Sequence, residues 1–448
     1  MRNSLAQLLV GNGLVITRDA RAPIIEDGCV AVRDEVIAAV GSTAELRRMN
    51  PGSEFVDARG GIVMPGLINT HTHLYSSLAR GMALDGPSPR NFVEILERLW
   101  WRLDKALTLN DVYWSAMAGL ADSIRNGVTT IFDHHASPGA VRGSLGRIAE
   151  AAQLAGVRSC LCYEVSDRDG EQVAADGIEE NREFLGWSAR QEGNSLRGLF
   201  GLHASFTLSD RTLARCREAA AETGAGFHVH TGEAASDTED CISRFDKRIV
   251  ARWRDSGILG RSSIAAHCVH VDEAEVELLV ESGTNVVHNP ESNMGNAVGA
   301  ARVIEMMARG VRVGLGTDGY TADMLESMKV ANLLQKHRTG DPRAGWAEPP
   351  RMLFENNAAM ASECFGLPVG RLVPGAAADI VVLDYQPPTP ILETNIDGHL
   401  LFGLAGRAVN TTIAGGRILM RDRQLLSIDA AEVAASARGA ARDLWRRV

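Results

Sequence analysis

Two patterns of apolar and polar positions divide the chain. Residues 1 to about 65, and residues from about 373 onward, consist of short apolar runs separated by Gly, Asn and Asp, as expected for short β-strands with turns. Between them, apolar runs of strand length alternate with helical stretches of ten or more residues. The pattern predicts a middle domain over 66–372. It also predicts one small β-domain formed by both ends, 1–65 and 373–448, with a terminal helix in the second part.

The middle segment contains eight apolar runs that are typical of parallel strands buried on both faces. They are IVMPGLINTHTH, VTTIFDHH, RSCLCYEV, RGLFGLHAS, AGFHVHTGE, SIAAHCVH, TNVVHNP and RVGLGTDG. The stretches between them have helical patterns, as in DRTLARCREAAAETG, where Asp210 is a candidate cap and Gly224 a candidate end. Eight strand–helix repeats in roughly 300 residues favour a closed (β/α)8 TIM barrel, with an open doubly wound sheet as the alternative.

Polar residues follow these strands at the points where they end. Seven of the eight runs end in a histidine or an aspartate, and ten of the twelve histidines lie there. The residues are His71, His73, His134, His135, His203, His228, His230, His267, His270, His288 and Asp318. Because a barrel places its active site at the carboxyl ends of its strands, these side chains are expected to converge on one site.

The spacing of these residues suggests a metal centre. His71 and His73 lie two residues apart at a strand end, so both rings face the same side, and imidazole suits zinc or iron. His228 and His230 share a face by the same argument, which leaves open which of the two binds metal. Asp318, in a G-T-D-G turn, is a candidate fourth and anionic ligand, although turns favour Asp in any case.

Glu233 follows His230 by three residues and is therefore a candidate general acid/base for a metal-activated water. The alternative interpretation is a solvated surface glutamate. A second metal is less favoured, because none of the four lysines ends a candidate strand and could bridge two ions in carboxylated form. Glu164, at the end of the third strand, is the remaining candidate bridge. We expect one divalent ion.

Composition narrows the class of protein. A net charge of −10 over 448 residues argues against nucleic-acid binding, which needs a basic face. Seven scattered cysteines with no C-x-x-C pair argue against a disulfide framework and for a reducing compartment. Cys160 and Cys162 would share a face of their strand, but a buried apolar strand explains them better than a metal site does. No signal peptide or membrane helix is apparent, so we expect a soluble cytoplasmic protein with a small-molecule substrate.

The ordered motifs PGLINTHTH, HVHTGE, AAHCVH, VVHNPESNM and GLGTDG resemble the amidohydrolase superfamily, in its deaminase and chlorohydrolase branch. The resemblance spans nearly the whole chain, since the β-rich ends match the composite β-sandwich of that family. WWRLDKALT, FDHHASP, VSDRDG and NPESNMGNAVG are similar to the aminohydrolases found beside selenium-metabolism genes, whose natural substrate is unsettled. The family suggests a homo-oligomer, a dimer or larger.

The resemblance implies roles for individual residues. The ligands of one divalent metal, zinc or else iron, would be His71, His73, His230 and Asp318. Glu233 would shuttle protons, and His267 would orient or deprotonate the water. His203 and Glu94 match positions that contact substrate in S-adenosylhomocysteine deaminases, the second by a loose alignment. One departure concerns the fifth strand, where Gly232 stands in place of the Ala found in many relatives and leaves the reach of Glu233 open.

The roles of four strand-end histidines stay open. His134 and His135 are either substrate or outer contacts of the site or packed side chains, His288 either supports the H-N-P turn or acts in the site, and His270 is undecided.

These features predict hydrolytic deamination of an amino-substituted heterocycle, an aminopurine or aminopyrimidine. Glu233 would protonate a ring nitrogen, while His267 and Asp318 would pass the water proton to the leaving amine. A chlorohydrolase, a cyclic-amide hydrolase and a non-catalytic binding protein are the alternatives. A chloride leaving group would need no proton, and cyclic-amide hydrolysis more often uses two metals.

Overall fold

The computed structural model describes residues 6–83, 85–404 and 406–448. Within these ranges the chain forms eighteen strands. They are β1 (Leu8–Ile16), β2 (Ile24–Arg33), β3 (Val36–Ser42), β4 (Glu54–Asp57), β5 (Ile62–Pro65), β6 (Leu67–Thr72), β7 (Val128–His135), β8 (Arg158–Tyr163), β9 (Leu196–Gly198), β10 (Phe200–Leu202), β11 (Phe227–Thr231), β12 (Ile264–His267), β13 (Asn285–His288), β14 (Val313–Leu315), β15 (Ile380–Leu383), β16 (Val409–Ala414), β17 (Arg417–Arg421) and β18 (Gln424–Leu425).

Helices fill most of the intervals. The α-helices are α1 (Thr43–Met49), α2 (Phe92–Ile95), α3 (Trp101–Ala106), α4 (Leu109–Arg125), α5 (Ser144–Ala155), α6 (Glu171–Ser188), α7 (Asp210–Ala221), α8 (Ala235–Phe245), α9 (Ile249–Asp255), α10 (Glu273–Ser282), α11 (Pro290–Gly295), α12 (Val303–Ala308), α13 (Met324–Thr339), α14 (Glu348–Arg351), α15 (Asn357–Phe365), α16 (Ile396–Gly403) and α17 (Ala430–Trp445). Short 3-10 turns cover Leu74–Ala79, Ser205–Thr207 and Gly406–Ala408, and π-helical turns cover Leu96–Trp100 and Met352–Asn356. None of the helices in the described ranges is both long and apolar enough to span a membrane.

The middle segment is a closed parallel barrel. One sheet has the order β6-β7-β8-β9 and a second has the order β10-β11-β12-β13-β14. The fourth predicted strand is split at Leu199 into β9 and β10, and a bridge from Val165 to Leu202 joins the two sheets there. A parallel bridge from Thr72 to Asp318 joins the first barrel strand to the last. All eight predicted strands form, and closure confirms the (β/α)8 interpretation over the open sheet.

Local sequence signals place the helices, with one correction. α4 begins with a capping box between Thr108 and Asp111, which satisfies two of the free N–H groups of its first turn. The helix predicted over DRTLARCREAAAETG forms, but Ser209 caps it rather than Asp210, because the Ser209 hydroxyl accepts from the Thr212 N–H. That helix ends at Ala221, before Gly224.

Both ends of the chain contribute to one nine-stranded sheet, with the order β18-β17-β16-β15-β5-β1-β2-β3 and with β4 beside β1. The seam between the two ends is the antiparallel pair β5–β15, where Val63 lies opposite Val382. Strands far apart in this order share one apolar core, since Ile37 of β3 and Ile413 of β16 belong to the same cluster. The sheet therefore folds over itself into a sandwich-like domain.

The junctions fix this domain against the barrel. Gly66 separates β5 from β6 where the chains approach closely, since a Cβ there would lie 2.3 Å from Thr129 Oγ1. The terminal helix α17 packs on the barrel helix α4 rather than on the sheet alone. Its Trp445 indole N–H donates to the Leu78 carbonyl at 2.8 Å, and Leu444 is buried in the main barrel core.

Candidate metal centre and active site

The candidate ligands converge at the carboxyl end of the barrel. His71 belongs to β6, His73 follows it directly, His230 belongs to β11, and Asp318 follows β14. All three imidazoles are buried, and the Asp318 side chain is 12% exposed. Asp318 has a φ of +55°, a left-handed conformation that turns its carboxylate back over the strand ends.

The distances between these groups suit ligands of a single cation. His73 Nε2 lies 2.8 Å and His71 Nε2 lies 3.6 Å from Asp318 Oδ1. The Nε2 atoms of His73 and His230 are 3.3 Å apart. One ligand atom each from His71, His73 and Asp318 lie within 4.8 Å of one another. The separations of 2.8–3.6 Å are close to those between donors around a metal bound at about 2.0–2.2 Å.

Hydrogen bonds behind the rings orient them. His73 Nδ1 donates to the His134 carbonyl, and His230 Nδ1 donates to the His203 carbonyl at 2.9 Å. Because each ring carries its proton on Nδ1 and donates it to a carbonyl, the Nε2 atoms of both rings have a lone pair that is free to bind metal. Of the pair that spacing left undecided, His230 lies in the cluster, whereas His228 Nε2 is 2.8 Å from His71 Nδ1 and supports that ring from behind.

The donor set fits a divalent metal. His71 Nε2 is buried and has no hydrogen-bond partner among the described residues, which is expected for an atom reserved for a cation. Burial lowers the pKa of His71 to about 3 and holds the pKa of His230 well below its usual value, so both rings are neutral ligands at pH 7. Burial also disfavours a charged His73, but the Asp318 carboxylate outweighs it and raises the pKa of His73 to about 9.

Candidate acid/base residues lie beside these candidate ligands. Glu233 Oε2 is 3.5 Å from His267 Nε2, which in turn is 3.8 Å from Asp318 Oδ2. Burial raises the pKa of the Glu233 carboxyl to about 7, an effect that His267 partly offsets. Gly232 has a φ of +53°, and its N–H donates to Asp237 Oδ2 at 3.0 Å. This turn brings Glu233 into the site.

Helix α11 and its flanks hold all three of these groups. Ser292 Oγ donates to Asp318 Oδ2, and Asn296 Nδ2 donates to Glu233 Oε1 at 3.3 Å. Asn293 Oδ1 accepts from His267 Nδ1 at 2.8 Å. Their spacing along one helical turn, three and four residues apart, presents them to the site together. Sequence reasoning quoted the segment NPESNMGNAVG but assigned no role to these polar residues, although their helical spacing was a usable signal.

A cavity opens over the centre. Its acidic lining residues are Asp104, Glu164, Glu233, Asp237 and Asp318, and its aromatic lining residues are Tyr75, Phe92, Trp100, Trp101, Phe206 and Tyr320. No Lys or Arg lines it among the side chains that the structure describes. A flat, apolar ring fits such walls, and an anionic substituent does not.

Glu164 lies at the inner side of the cavity. Its Oε2 is 3.3 Å from His134 Nδ1, and its Oε1 is 3.9 Å from His203 Nε2 and 4.0 Å from Arg168. Burial disfavours its charge, but these three nitrogen-bearing groups outweigh burial and lower the pKa of Glu164 to about 2. Atoms of Glu164, His73, His134 and His230 lie within 4.8 Å of one another, so Glu164 is not grouped with His71 and Asp318.

The two predicted substrate contacts have different positions. His203 lines the cavity, and its ring lies 5.6 Å from that of His230. Glu94 is not among the described residues that line it. The Glu94 carboxylate instead pairs with Arg90 at 3.0 Å and Arg98 at 3.3 Å, because the two arginines flank it one helical turn away on either side.

The remaining strand-end histidines and the cysteines lie outside the candidate ligand set of His71, His73, His230 and Asp318. His134 Nε2 lies 3.1 Å from the carbonyls of both Leu202 and His228. His135 Nε2 contacts Ser137 Oγ at 2.9 Å, His270 Nε2 donates to the Val298 carbonyl at 2.7 Å, and His288 is fully buried in β13. Cys160 and Cys162 belong to an apolar cluster, and all seven cysteines are free in the described chain.

Family models match two parts of the chain. One described as the amidohydrolase family matches residues 62–419. A second, described as an imidazolonepropionase-like composite domain of bacteria, matches residues 28–52 within the β-domain.

Individual proteins match over nearly the whole chain. It is 34% identical over 451 residues to a 5'-deoxyadenosine deaminase of Methanosarcina mazei, covering 99% of this chain and 100% of that protein. It is also 34% identical to a 5-methylthioadenosine/S-adenosylhomocysteine deaminase of Syntrophobacter fumaroxidans, with the same coverage. Among solved structures, an adenosine deaminase of Xanthomonas campestris with bound zinc superposes with a TM-score of 0.88 at 26% identity, covering 99% of this chain and 100% of that one.

Proposed function

The chain belongs to the amidohydrolase family, and on that premise we propose that it is a metal-dependent aminohydrolase that deaminates an aminopurine-like substrate and releases ammonia. The observation that carries the proposal is the position of two overlapping candidate ligand groups, one of His71, His73 and Asp318 and the other of His71, His230 and His267, beside the buried acid Glu233, which lies 3.5 Å from His267. Together they supply what hydrolytic deamination needs, an activated water and a proton donor for the ring.

We assign the metal to His71, His73, His230 and Asp318. Three imidazoles and one carboxylate form a mixed nitrogen and oxygen set that suits zinc, with iron as the second candidate. The zinc in the structure of the Xanthomonas campestris relative supports the first choice. When bound, a divalent cation lowers the pKa of water from 15.7 towards about 7 and so supplies a nucleophile at neutral pH.

The protein's own side chains move the protons. His267 donates from Nδ1 to Asn293 Oδ1, so its Nε2 carries a lone pair towards Glu233 and Asp318 and can accept the proton of the attacking water. Glu233, with a pKa of about 7, can be protonated at neutral pH and deliver a proton to the ring nitrogen next to the reacting carbon. Asp318, paired with Ser292, would relay the water's second proton to the leaving amine.

The reaction balances without a further co-reactant. Water adds to the carbon that bears the amino group, the ring nitrogen is protonated, and the C–N bond breaks once the amine has received its proton. The products are the oxo heterocycle and ammonia. Dechlorination would need no proton for its leaving group and would leave the relay through Asp318 without a role.

We propose an adenosine-type nucleoside as the substrate. The two curated relatives named above deaminate 5'-deoxyadenosine, and 5-methylthioadenosine or S-adenosylhomocysteine, according to their names. The aromatic walls suit a purine, and the acidic lining disfavours a phosphate. We therefore expect 5'-deoxyadenosine and adenosine to be better substrates than adenosine 5'-monophosphate. His203 is our assigned substrate contact, and Glu94 stays a prediction that its arginine pairs do not support.

The test is ammonia release by the zinc-loaded protein from a panel of adenosines, aminopurines, aminopyrimidines and aminopterins. We expect one ammonia per substrate consumed and loss of activity on chelation. Chloride release from a chlorinated analogue without any deamination, or opening of a cyclic amide, would overturn the proposal. A dimer or larger assembly also stays a prediction, which light scattering would check.

A further inference from the structure

Glu164 has no role in the proton transfers derived above, although it is buried beside the metal ligands. Two of the assigned ligands, His73 and His230, have atoms within 4.8 Å of it, and it lines the cavity. A buried carboxylate normally receives hydrogen bonds from its surroundings. The positions of its two oxygen atoms indicate which of them is open to hydrogen-bond donors from a ligand.

One oxygen of Glu164 faces the protein and the other faces the cavity. Oε2 lies 3.3 Å from His134 Nδ1, and His134 is fully buried and does not line the cavity. The nitrogen atoms nearest to Oε1 are His203 Nε2 at 3.9 Å and Arg168 at 4.0 Å, both too far for a hydrogen bond. Arg168 is also engaged by Asp104 and Asp169, so its charge is shared among three carboxylates.

His203 presents a second acceptor to the same space. Its Nδ1 is 2.7 Å from Thr207 Oγ1, and that hydroxyl donates to the Ala204 carbonyl at 3.1 Å. The hydroxyl must therefore accept from His203 Nδ1–H, which leaves a lone pair on Nε2. Glu164 Oε1 and His203 Nε2 thus form an acceptor pair, with their atoms 3.9 Å apart and both residues lining the cavity.

We propose that this Glu164–His203 acceptor pair binds hydrogen-bond donors of the substrate away from the reacting amine and that Glu164 is the specificity-determining residue for them. The donors are either vicinal sugar hydroxyls or a second amino group on the ring, because both chemistries match a carboxylate and a ring nitrogen lone pair. The proposal rests on the deaminase function, and it adds a substrate feature that the metal centre itself does not require.

The acidic lining of the cavity agrees with this assignment. Five acidic side chains and no described Lys or Arg line the cavity, so the site favours neutral or cationic donors over anionic substituents. A ligand without donors would leave Glu164 Oε1 buried and unpaired, and such a mismatch discriminates strongly between ligands.

The experiment compares wild type with Glu164→Gln on two pairs of compounds. The sugar pair is adenosine and 2',3'-dideoxyadenosine, and the ring pair is 2,6-diaminopurine and adenine. Gln keeps the size of the side chain but replaces one acceptor oxygen with a donor. We expect wild type to prefer the donor-bearing member of at least one pair by about 10- to 100-fold in kcat/KM, and the variant to lose that preference. The pair that responds identifies the source of the donors.

Glu180→Gln is the matched control. Glu180 is equally buried but accepts from the N–H groups of Gly143 and Leu145 at the start of α5 and does not line the cavity. The control should keep both preferences. Unchanged preferences in Glu164→Gln would overturn the proposal. So would a loss of bound metal in Glu164→Gln, because Glu164 would then be a ligand.

A binding measurement separates this proposal from the proposed function. Calorimetry with inosine and 2',3'-dideoxyinosine, and with guanine and hypoxanthine, reports the same donor preferences without any reaction. One outcome is that wild type releases no ammonia from any compound, while one of these binding preferences still depends on Glu164. In that case the deaminase assignment would fail and the acceptor pair would stand. If deamination proceeded and binding showed no dependence on Glu164, the acceptor pair alone would fail.

Discussion

The two sides of the cavity are built differently. On the Asp318 side, each acid or base has a hydrogen-bond partner from the α11 segment: Ser292 for Asp318, Asn293 for His267 and Asn296 for Glu233. On the Glu164 side, Glu164 Oε1 and His203 Nε2 face each other as acceptors across 3.9 Å. A side whose groups are held in place is suited to repeated proton transfer, whereas a side with open acceptors is suited to binding a ligand. Under the two proposals above, the Asp318 side carries out the reaction and the Glu164 side binds the substrate.

The largest expected effect comes from removing the anionic ligand. Asp318→Ala takes away the only carboxylate that we assign to the metal, so we expect bound metal to fall from about one ion per chain to a small fraction and activity to fall by more than about 10³-fold. Elemental analysis and ammonia release measure the two effects. Asp341→Ala, at an exposed turn where Asp341 pairs with Arg343, should change neither. Full metal content in Asp318→Ala would remove Asp318 from the ligand set.

Glu233→Gln tests the proton donor without touching the ligands. The amide keeps the size of the side chain but delivers no proton, so kcat should fall by about 10²-fold or more while metal content stays near wild type. Glu281→Gln at the exposed end of α10 is the control. Wild-type activity in Glu233→Gln would transfer the role to another residue, with His267 as the first candidate.

Asn296→Ala tests whether the α11 segment positions Glu233. Loss of the 3.3 Å contact to Glu233 Oε1 should lower kcat by about 10-fold, with KM and metal content nearly unchanged, because the acid stays but is less well oriented. Asn395→Ala, in the turn before α16, is the control. A rise in KM with unchanged kcat would mean that Asn296 belongs to the binding side of the cavity.

The smallest expected effect concerns Asp237, which supports the turn at Gly232. Burial raises the pKa of Asp237 from its ordinary value near 3.8 to about 8, so the folded protein holds this proton more tightly than the unfolded chain does. Its contribution to stability is therefore full below about pH 4 and is lost as the pH rises through about 8.

Asp237→Asn cannot titrate but keeps an acceptor for the Gly232 N–H. Between pH 6 and pH 9, the Tm of wild type should fall by about 2–4 °C more than that of the variant. Thermal unfolding at the two pH values measures this difference. Parallel pH dependences of the two proteins would contradict the raised pKa.

Much of the architecture could be predicted from the sequence, because barrel strands carry a local signal. Each is a continuous apolar run that ends in a polar residue, and that pattern placed the strand containing His71 and the one preceding Asp318 at a common face. The split of the fourth strand at Leu199 could not be predicted, since it depends on hydrogen bonds to the strands on either side.

The site residues could likewise be predicted only where the signal is local in sequence. Spacing along one strand brings His71 and His73 together, but it cannot choose between His228 and His230, which share a face and differ only in depth within the barrel. Glu94 illustrates the opposite case, in which a loose alignment suggested a contact and two neighbouring arginines hold the carboxylate elsewhere. The partner of Glu233 lies 63 positions away and that of Asp318 lies 26 positions away, so helical spacing marks the polar residues of the α11 segment as a set but does not reveal which groups they contact.

The seam of the barrel has a consequence for how the protein folds. Thr72 and Asp318 bridge the first and last barrel strands across 246 positions of sequence, and the assigned ligands lie on both sides of that bridge. Contacts between residues so far apart form late, since the entropy of closing such a long loop must be offset by structure already in place. A nascent chain would therefore acquire high metal affinity only after its last barrel strand has docked. Metal would therefore bind to a barrel that has already closed and would not nucleate its folding. The rates of the folding steps before the last strand docks should not depend on metal concentration.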